Sequence, residues 1–150
     1  MRVTIQRVLE ASVMVEETTV GEIKKGLLIF LGIEDNDSSA DIEWLSNKIC
    51  KLRIFPDNTG NMNKNILDIH GEVLIISQFT LFASIKKGNR PSFKSSGKPE
   101  FANKMCAIFT KELSYKINRA VATGIFGTDM KVSLINDGPV TINIDTKKKE

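Results

Sequence analysis

Between Gly26 and Gly32 the chain runs Leu27-Leu28-Ile29-Phe30-Leu31, an apolar stretch with no position left to face water. A strand with one solvated face alternates polar and apolar side chains, whereas a strand covered on both faces reads as a continuous apolar run. The segment therefore predicts a central strand held between two apolar layers, and the rest of the chain must supply both. It is also far short of the roughly 20 apolar residues needed to cross a bilayer, so no membrane span is expected.

The flanking segments carry the periods that such layers need. Residues 1–17 alternate, with Val3, Ile5, Val8, Val13 and Val15 on the apolar positions, and residues 20–23 read as a short strand weakened by Gly21. Ser38 and Asp41 resemble a capping box in which Asp replaces the usual Glu. Ile42, Leu45, Ile49 and Leu52 then form a single helical stripe that Pro56-Asp57-Asn58-Thr59-Gly60 ends with strong turn chemistry. Residues 72–77 are a second β-rich run. Pro99 suits a first helical position, and Phe101, Met105, Ile108, Phe109 and Leu113 predict a helix over about 99–115. Residues 131–135 and 140–144 read as the arms of a hairpin around Asn136-Asp137-Gly138-Pro139. No repeat or linker interrupts the 150 residues. The expectation is a single mixed α/β domain over 1–150 with many strands and two main helices, residues 145–150 forming a flexible, solvated tail.

Composition narrows the chemistry. The net charge is only +3, yet residues 84–98 hold Lys86, Lys87, Arg90, Lys94 and Lys98 and no acid, and without them the charge would be −2. A local basic loop attracts a polyanion by counterion release, although Lys94 and Lys98 read equally well as solvated. His70 is the only histidine and stands beside Gly71 at a turn signal, so a histidine-based triad has little to build on. Cys50, His70 and Cys106 are too few and too scattered for a structural zinc site, which takes about four such ligands. Asp35 and Asp37 read as loop or cap residues. Neither a phosphate-binding G-x-x-x-x-G-K-[ST] loop nor a G-x-G-x-x-G turn occurs. An enzyme of this sequence is expected to work without metal, cofactor or histidine base. The start lacks a secretory leader, and two isolated cysteines read as reduced core residues, so the cytoplasm is the expected compartment.

Two short motifs remain. In Ser77-Gln78-Phe79-Thr80-Leu81-Phe82, hydroxyl, amide and backbone N–H groups stand where a buried strand emerges, a place suited to hold an ester carbonyl or the oxyanion it becomes. The bland reading is a strand end that satisfies its own backbone. Asn136-Asp137-Gly138-Pro139-Val140-Thr141 reads first as a reverse turn, with a Gly–Pro bond of the kind that is cis in about 5–6% of X–Pro cases.

These two motifs, together with Arg2-Val3-Thr4-Ile5-Gln6-Arg7-Val8 and Lys87-Gly88-Asn89-Arg90-Pro91-Ser92-Phe93, resemble the D-aminoacyl-tRNA deacylase family from Met1 to about Asp145. The resemblance implies barrel-like, layered sheets flanked by two helices and a homodimer with active sites at the subunit interface. It implies a metal-independent ester hydrolase that clears D-aminoacyl-tRNA, and mischarged glycyl-tRNA less selectively, as chiral proofreading in translation. Gly138 and Pro139 would form a cis element reaching into the partner's pocket and excluding L side chains, with Arg7 holding it. Ser77, Gln78, Phe79 and Thr80 would grip the aminoacyl group and the 3′-terminal adenosine. Thr80 is then either the nucleophile or a positioning group beside an RNA 2′-hydroxyl that activates water, and without a histidine partner the second reading is favoured. Lys86, Lys87 and Arg90 would meet tRNA phosphates. Two other readings stay open: a non-catalytic RNA-binding module using the basic loop, and a structural dimer without ligand.

Overall fold

The structure, a computed structural model, describes residues 1–149. In chain order the elements are β1 (Arg2–Val15), β2 (Thr18–Ile23), β3 (Gly26–Gly32), α1 (Ser39–Lys51), β4 (Phe55–Pro56), β5 (Met62–Lys64), β6 (Glu72–Ser77), a 3₁₀ turn (Phe79–Phe82), α2 (Pro99–Ile117), β7 (Ala122–Thr123) and β8 (Lys131–Asp145). β2 pairs antiparallel with the second half of β1 and β3 with its first half, so the two follow one another along one side of it. Glu16 and Glu17 make the connection with φ of 47° and 63°, the left-handed pair that a tight two-residue hairpin loop demands. β8 runs antiparallel along the other side of β1, from Met14↔Lys131 to Arg2↔Asp145. β6 joins β3 in parallel and β7 joins β6, with α1 and α2 in the intervening connections.

The apolar run meets the expectation of burial on both faces. Leu27, Ile29 and Leu31 pack with Val73, Ile75 and the helical residues Leu45, Ile49, Phe109 and Leu113. Leu28 turns the other way, into a second cluster with Val8, Val13, Leu74 and Ile76, which Phe30, Val132 and Leu134 help to cover. The sheet therefore curls almost closed around the second cluster, while both helices cover the first. The closure is tight enough that a Cβ on Gly21 of β2 would stand 2.7 Å from the Thr123 carbonyl oxygen of β7. At the start of β3, a Cβ on Gly26 would lie 1.8 Å from the Glu72 carbonyl oxygen, so only glycine lets β3 and β6 meet. The result is the expected mixed α/β domain with a barrel-like sheet. Among the described residues no helix is long and apolar enough to cross a membrane.

Two local expectations change. Residues 131–144 are not a hairpin; both arms belong to β8 and continue the same ladder along β1. Between the pairs Gln6↔Thr141 and Val8↔Asn136, β8 takes five residue steps and β1 only two, so the Gly138–Pro139 segment swells out of the sheet as a bulge. The turn chemistry is present, but β1 is long enough to recapture the chain beyond it. The chain end is also less free than a solvated tail. Thr146 is buried and donates its backbone N–H to the Met1 carbonyl at 2.9 Å. The Lys147 ammonium reaches both Asp41 carboxylate oxygens, at 2.9 and 3.0 Å.

α1 begins as the capping signal predicted, with Asp41 Oδ2 accepting from the Ser38 backbone N–H and hydroxyl, each at 2.9 Å. Burial alone would raise the Asp41 carboxyl, but hydrogen bonds from Thr146, Lys147 and Ser38 outweigh it and hold the group well below the ordinary carboxylate range. Its folded pKa is thus below its unfolded one, near 3.9, so its contribution is complete above about pH 4 and is lost as pH falls below that. Asp41→Ala is expected to lower stability by about 1–2 kcal/mol at pH 7, with the deficit shrinking below pH 4, as measured by urea unfolding across that range.

Candidate active site

β6 delivers Ser77 to the carboxyl end of the parallel pair, and the Gln78 backbone N–H donates to the Leu31 carbonyl at 2.8 Å, fixing the exit of the chain. The 3₁₀ turn follows, anchored by the buried Phe82. The Arg2 guanidinium stacks 4.6 Å from the centre of the Phe82 ring and donates to the Leu81 carbonyl at 3.1 Å, while its Nε pairs with Asp145 at 2.9 Å. With Phe82 held inward, Phe79 and Thr80 face outward; Phe79 remains 56% exposed. The Gln78 side-chain amide donates to the Thr80 hydroxyl oxygen. The first amides of such a turn have no partner inside it, which leaves the Phe79 and Thr80 N–H groups available.

A cavity of about 560 Å³ opens beside this turn, with Ser77, Gln78 and Phe79 on one wall and Phe93, Phe126 and Met130 among the others. The volume falls within the roughly 300–1,000 Å³ of small-molecule sites. Phe93 meets Phe79 edge to face, with ring centres 5.0 Å apart and planes at 76°. That contact roots the basic loop at the mouth of the cavity. Ser84 and Ser92 exchange backbone hydrogen bonds of 2.8 and 2.9 Å, and Lys86, Lys87 and Arg90 sit exposed on the tip between them, around Gly88 at φ +108°. Lys94 and Lys98 are exposed as well, nearer the return to α2.

The second motif is built differently. The Gly138–Pro139 peptide is cis, and both residues are exposed on the β8 bulge. Arg7 holds the bulge from beneath. It is only 8% exposed, donates Nη1 to the Ile54 carbonyl at 2.6 Å and places Nε 3.2 Å from both the Asp137 carbonyl and its carboxylate. Gly138 has φ +119°, and a Cβ there would lie 2.8 Å from Arg7 Nη2. Neither Gly138 nor Pro139 lines the cavity within the chain. The fold therefore brings Ser77, Gln78 and Phe79 to one cavity with Phe93, leaves the exposed Thr80, Lys86, Lys87 and Arg90 outside its lining, and sets the Arg7–Gly138–Pro139 unit apart as a separate projection.

His70 lies exposed just before β6, a strand length of roughly 20 Å from Ser77, so Thr80 has no imidazole within reach. Among the described residues no cluster of three or more His, Cys, Asp or Glu is disposed to hold a metal. Asp35 and Asp37 act locally: Asp35 accepts from the Lys98 N–H at 2.8 Å, and Asp37 accepts from the Glu34 N–H at 2.8 Å and from the Met1 ammonium. Sequence reasoning missed the wall formed by Phe126, Gly127, Thr128, Asp129 and Met130, along with Cys106. An aromatic beside a glycine with φ +75° was the only local sign of that wall.

A strand-end cavity with one polar and one aromatic wall, beside the root of a basic hairpin, is the candidate site of this small α/β domain. Comparison with known proteins agrees. The model of the family described as D-Tyr-tRNA(Tyr) deacylase matches residues 4–145. D-aminoacyl-tRNA deacylases of Flavobacterium psychrophilum and Bacteroides thetaiotaomicron are 55% and 54% identical over 150 residues, covering 100% of each chain. Among solved structures, the c-Myc DNA Unwinding Element Binding Protein superposes with a TM-score of 0.91 at 35% identity, over 97% of this chain and 98% of that one. A probable eukaryotic D-amino acid tRNA deacylase gives 0.80 at 14% identity, over 95% and 98%, a likeness of fold alone. The chain belongs to the D-Tyr-tRNA(Tyr) deacylase family.

Cys106 is free and lines the cavity, but burial pushes its thiol up to about 12. The thiolate is the reactive form, so it is nearly absent at neutral pH. Iodoacetamide at pH 8 is expected to leave Cys106 unmodified in the folded protein and to label it once urea unfolds the chain, read by mass spectrometry.

Proposed function

We propose that this chain hydrolyses the ester joining a D-amino acid to the 3′ end of tRNA, releasing free D-amino acid and tRNA in the cytoplasm. The observation that carries the reading is the Phe79–Phe93 contact, which roots a hairpin bearing Lys86, Lys87 and Arg90 beside the cavity lined by Ser77, Gln78 and Phe79. Phosphates would be held by the basic tip largely without regard to sequence while the aminoacyl end enters the cavity.

The Phe79 and Thr80 N–H groups, free of partners within the 3₁₀ turn, would receive the carbonyl oxygen as it becomes an oxyanion, with Ser77 and Gln78 orienting the acyl group. Water adds to the carbonyl carbon, the acyl C–O bond breaks, and the proton goes to the departing ribose oxygen. Thr80 has no base to activate it, so the RNA 2′-hydroxyl positions and activates the water while Thr80 fixes the ester. Backbone amides and the substrate's own hydroxyl suffice, and no metal is called for.

Stereochemical choice falls to Gly138 and Pro139. Arg7 makes them a rigid, exposed projection, the form an element needs if it enters the cavity of a second copy and occupies the space of an L side chain. Leu9 of β1 and Ile135 of β8, each 49% exposed, supply apolar surface for such a homodimer. Rejection by exclusion would accept many D side chains and would also admit glycine, so mischarged glycyl-tRNA is a second substrate.

Purified protein is expected to hydrolyse D-tyrosyl-tRNA at least about a hundredfold faster than L-tyrosyl-tRNA, an advantage of about 2.7 kcal/mol in transition-state binding. Equal rates would overturn the reading, and tRNA binding without hydrolysis of either ester would support the non-catalytic module instead. Thr80→Ala is expected to retain kcat within about tenfold, whereas loss of a true nucleophile costs on the order of 10⁶. Gly138→Ala places a side chain against Arg7 and is expected to lower the D over L preference by about tenfold or more while the Tm shifts by only a few degrees. An unchanged preference in that variant would remove the Gly138–Pro139 element from the mechanism.

A further inference from the structure

Beyond Ser77 lies a second cavity, of about 460 Å³, between α2 and the strand end. It shares Ser77, Cys106 and Phe126 with the first, so those three residues form a common partition. α2 lines it with Asn103, Thr110, Lys111 and Ser114, spaced so that successive turns of one helical face contribute. The two hydroxyls are already engaged: Thr110 donates to the Cys106 carbonyl at 2.8 Å and Ser114 to the Arg119 carbonyl at 2.7 Å. Asn103 and Lys111 are different. Both are exposed, and among the described residues neither side chain makes a hydrogen bond or ion pair.

We infer that this second cavity receives the nucleotide preceding the terminal adenosine, with the Asn103 amide facing its base edge and Lys111 its phosphate. The inference rests on the proposed deacylase reading. An RNA 3′ end seated with its aminoacyl group against Ser77 must lead its next nucleotide into adjoining space, and the second cavity adjoins through a shared wall. The chemistry of the lining matches that occupant. A side-chain amide offers a donor and an acceptor to a base edge, a lone ammonium suits a phosphate, and no carboxylate lines the cavity to oppose it. The small Ala107 leaves room for a flat ring.

The test compares D-tyrosyl-tRNA with D-tyrosyl-adenosine, which lacks the preceding nucleotide. Lys111→Glu and Asn103→Ala change exposed helix positions without removing any observed contact, and Lys25→Glu, in the loop before β3, is the matched charge control. Lys111→Glu is expected to lower kcat/KM for the tRNA ester by about tenfold and to flatten its logarithmic salt dependence by about 0.7, the value of one phosphate on a single strand. Its rate on the adenosine ester should equal that of the wild type. Asn103→Ala should weaken the tRNA ester alone, by a smaller factor, and Lys25→Glu should alter neither. If Lys111→Glu alters both esters equally or neither, or if Lys25→Glu matches its effect, the second cavity is not a nucleotide site, although the deacylase reading stands. If the wild type hydrolyses neither ester, the proposed function itself fails.

Discussion

The structure depends on β1 being paired along both of its sides. β3 and then β2 occupy one side and β8 the other, so that β1 joins three strands. The ladder makes β1 serve two cores. Val3 and Ile5 face the helices, whereas Val8, Ala11 and Val13 face the inside of the curled sheet. The change of face occurs at Leu9–Glu10, both exposed, where the register against β8 slips by a bulge. A strict period of two could not feed both clusters, and a bulge is the least disruptive way to reset it.

The same strand positions both candidate elements of function. Arg2, at its start, stacks on Phe82 and ties the 3₁₀ turn to Asp145, so Phe79 and Thr80 are presented outward from a fixed base. Arg7 occupies an inward position where a hydrophobic residue would be usual. A buried cation is tolerated only when its donors are satisfied, and Arg7 meets the Ile54 and Asp137 carbonyls and the Asp137 carboxylate. The β8 bulge is thus fastened to the core by a charged clamp, which makes the exposed Gly138–Pro139 segment stiff. Thr4 donates to Asn143 and Gln6 to Thr141 across the same pair of strands, extending an outward polar seam beyond the bulge toward Asp145.

The candidate cavity draws its polar groups from backbone and short side chains rather than from a histidine. Its polar wall is a strand end and a helical turn, both of which carry unpaired N–H groups for geometric reasons that hold whatever side chains are present. Its other walls come from Phe93 on the hairpin and from residues 126–130 before β8. The positive charge of Lys86, Lys87 and Arg90 stays exposed on the hairpin tip, away from the apolar lining, so no lysine is buried there.

Much of this was legible in the chain itself. The run 27–31 announced a strand covered on both faces, the stripes from Ile42 and from Phe101 announced helices, and Ser38 with Asp41 announced where the first begins. Composition set the donor inventory, with one histidine and two cysteines, and gathered the free positive charge between 84 and 98. Such signals are local and record burial, because an apolar side chain must avoid water wherever its segment is eventually placed. Only the tertiary structure decided that residues 131–145 are one strand rather than a hairpin, that Phe93 abuts Phe79, that Lys147 returns to Asp41, and that Cys106 and Phe126 close the cavity. Each of these joins segments distant in sequence that share no periodic pattern, and which of them meet is settled by how β1 is paired on both sides, a property no single segment carries.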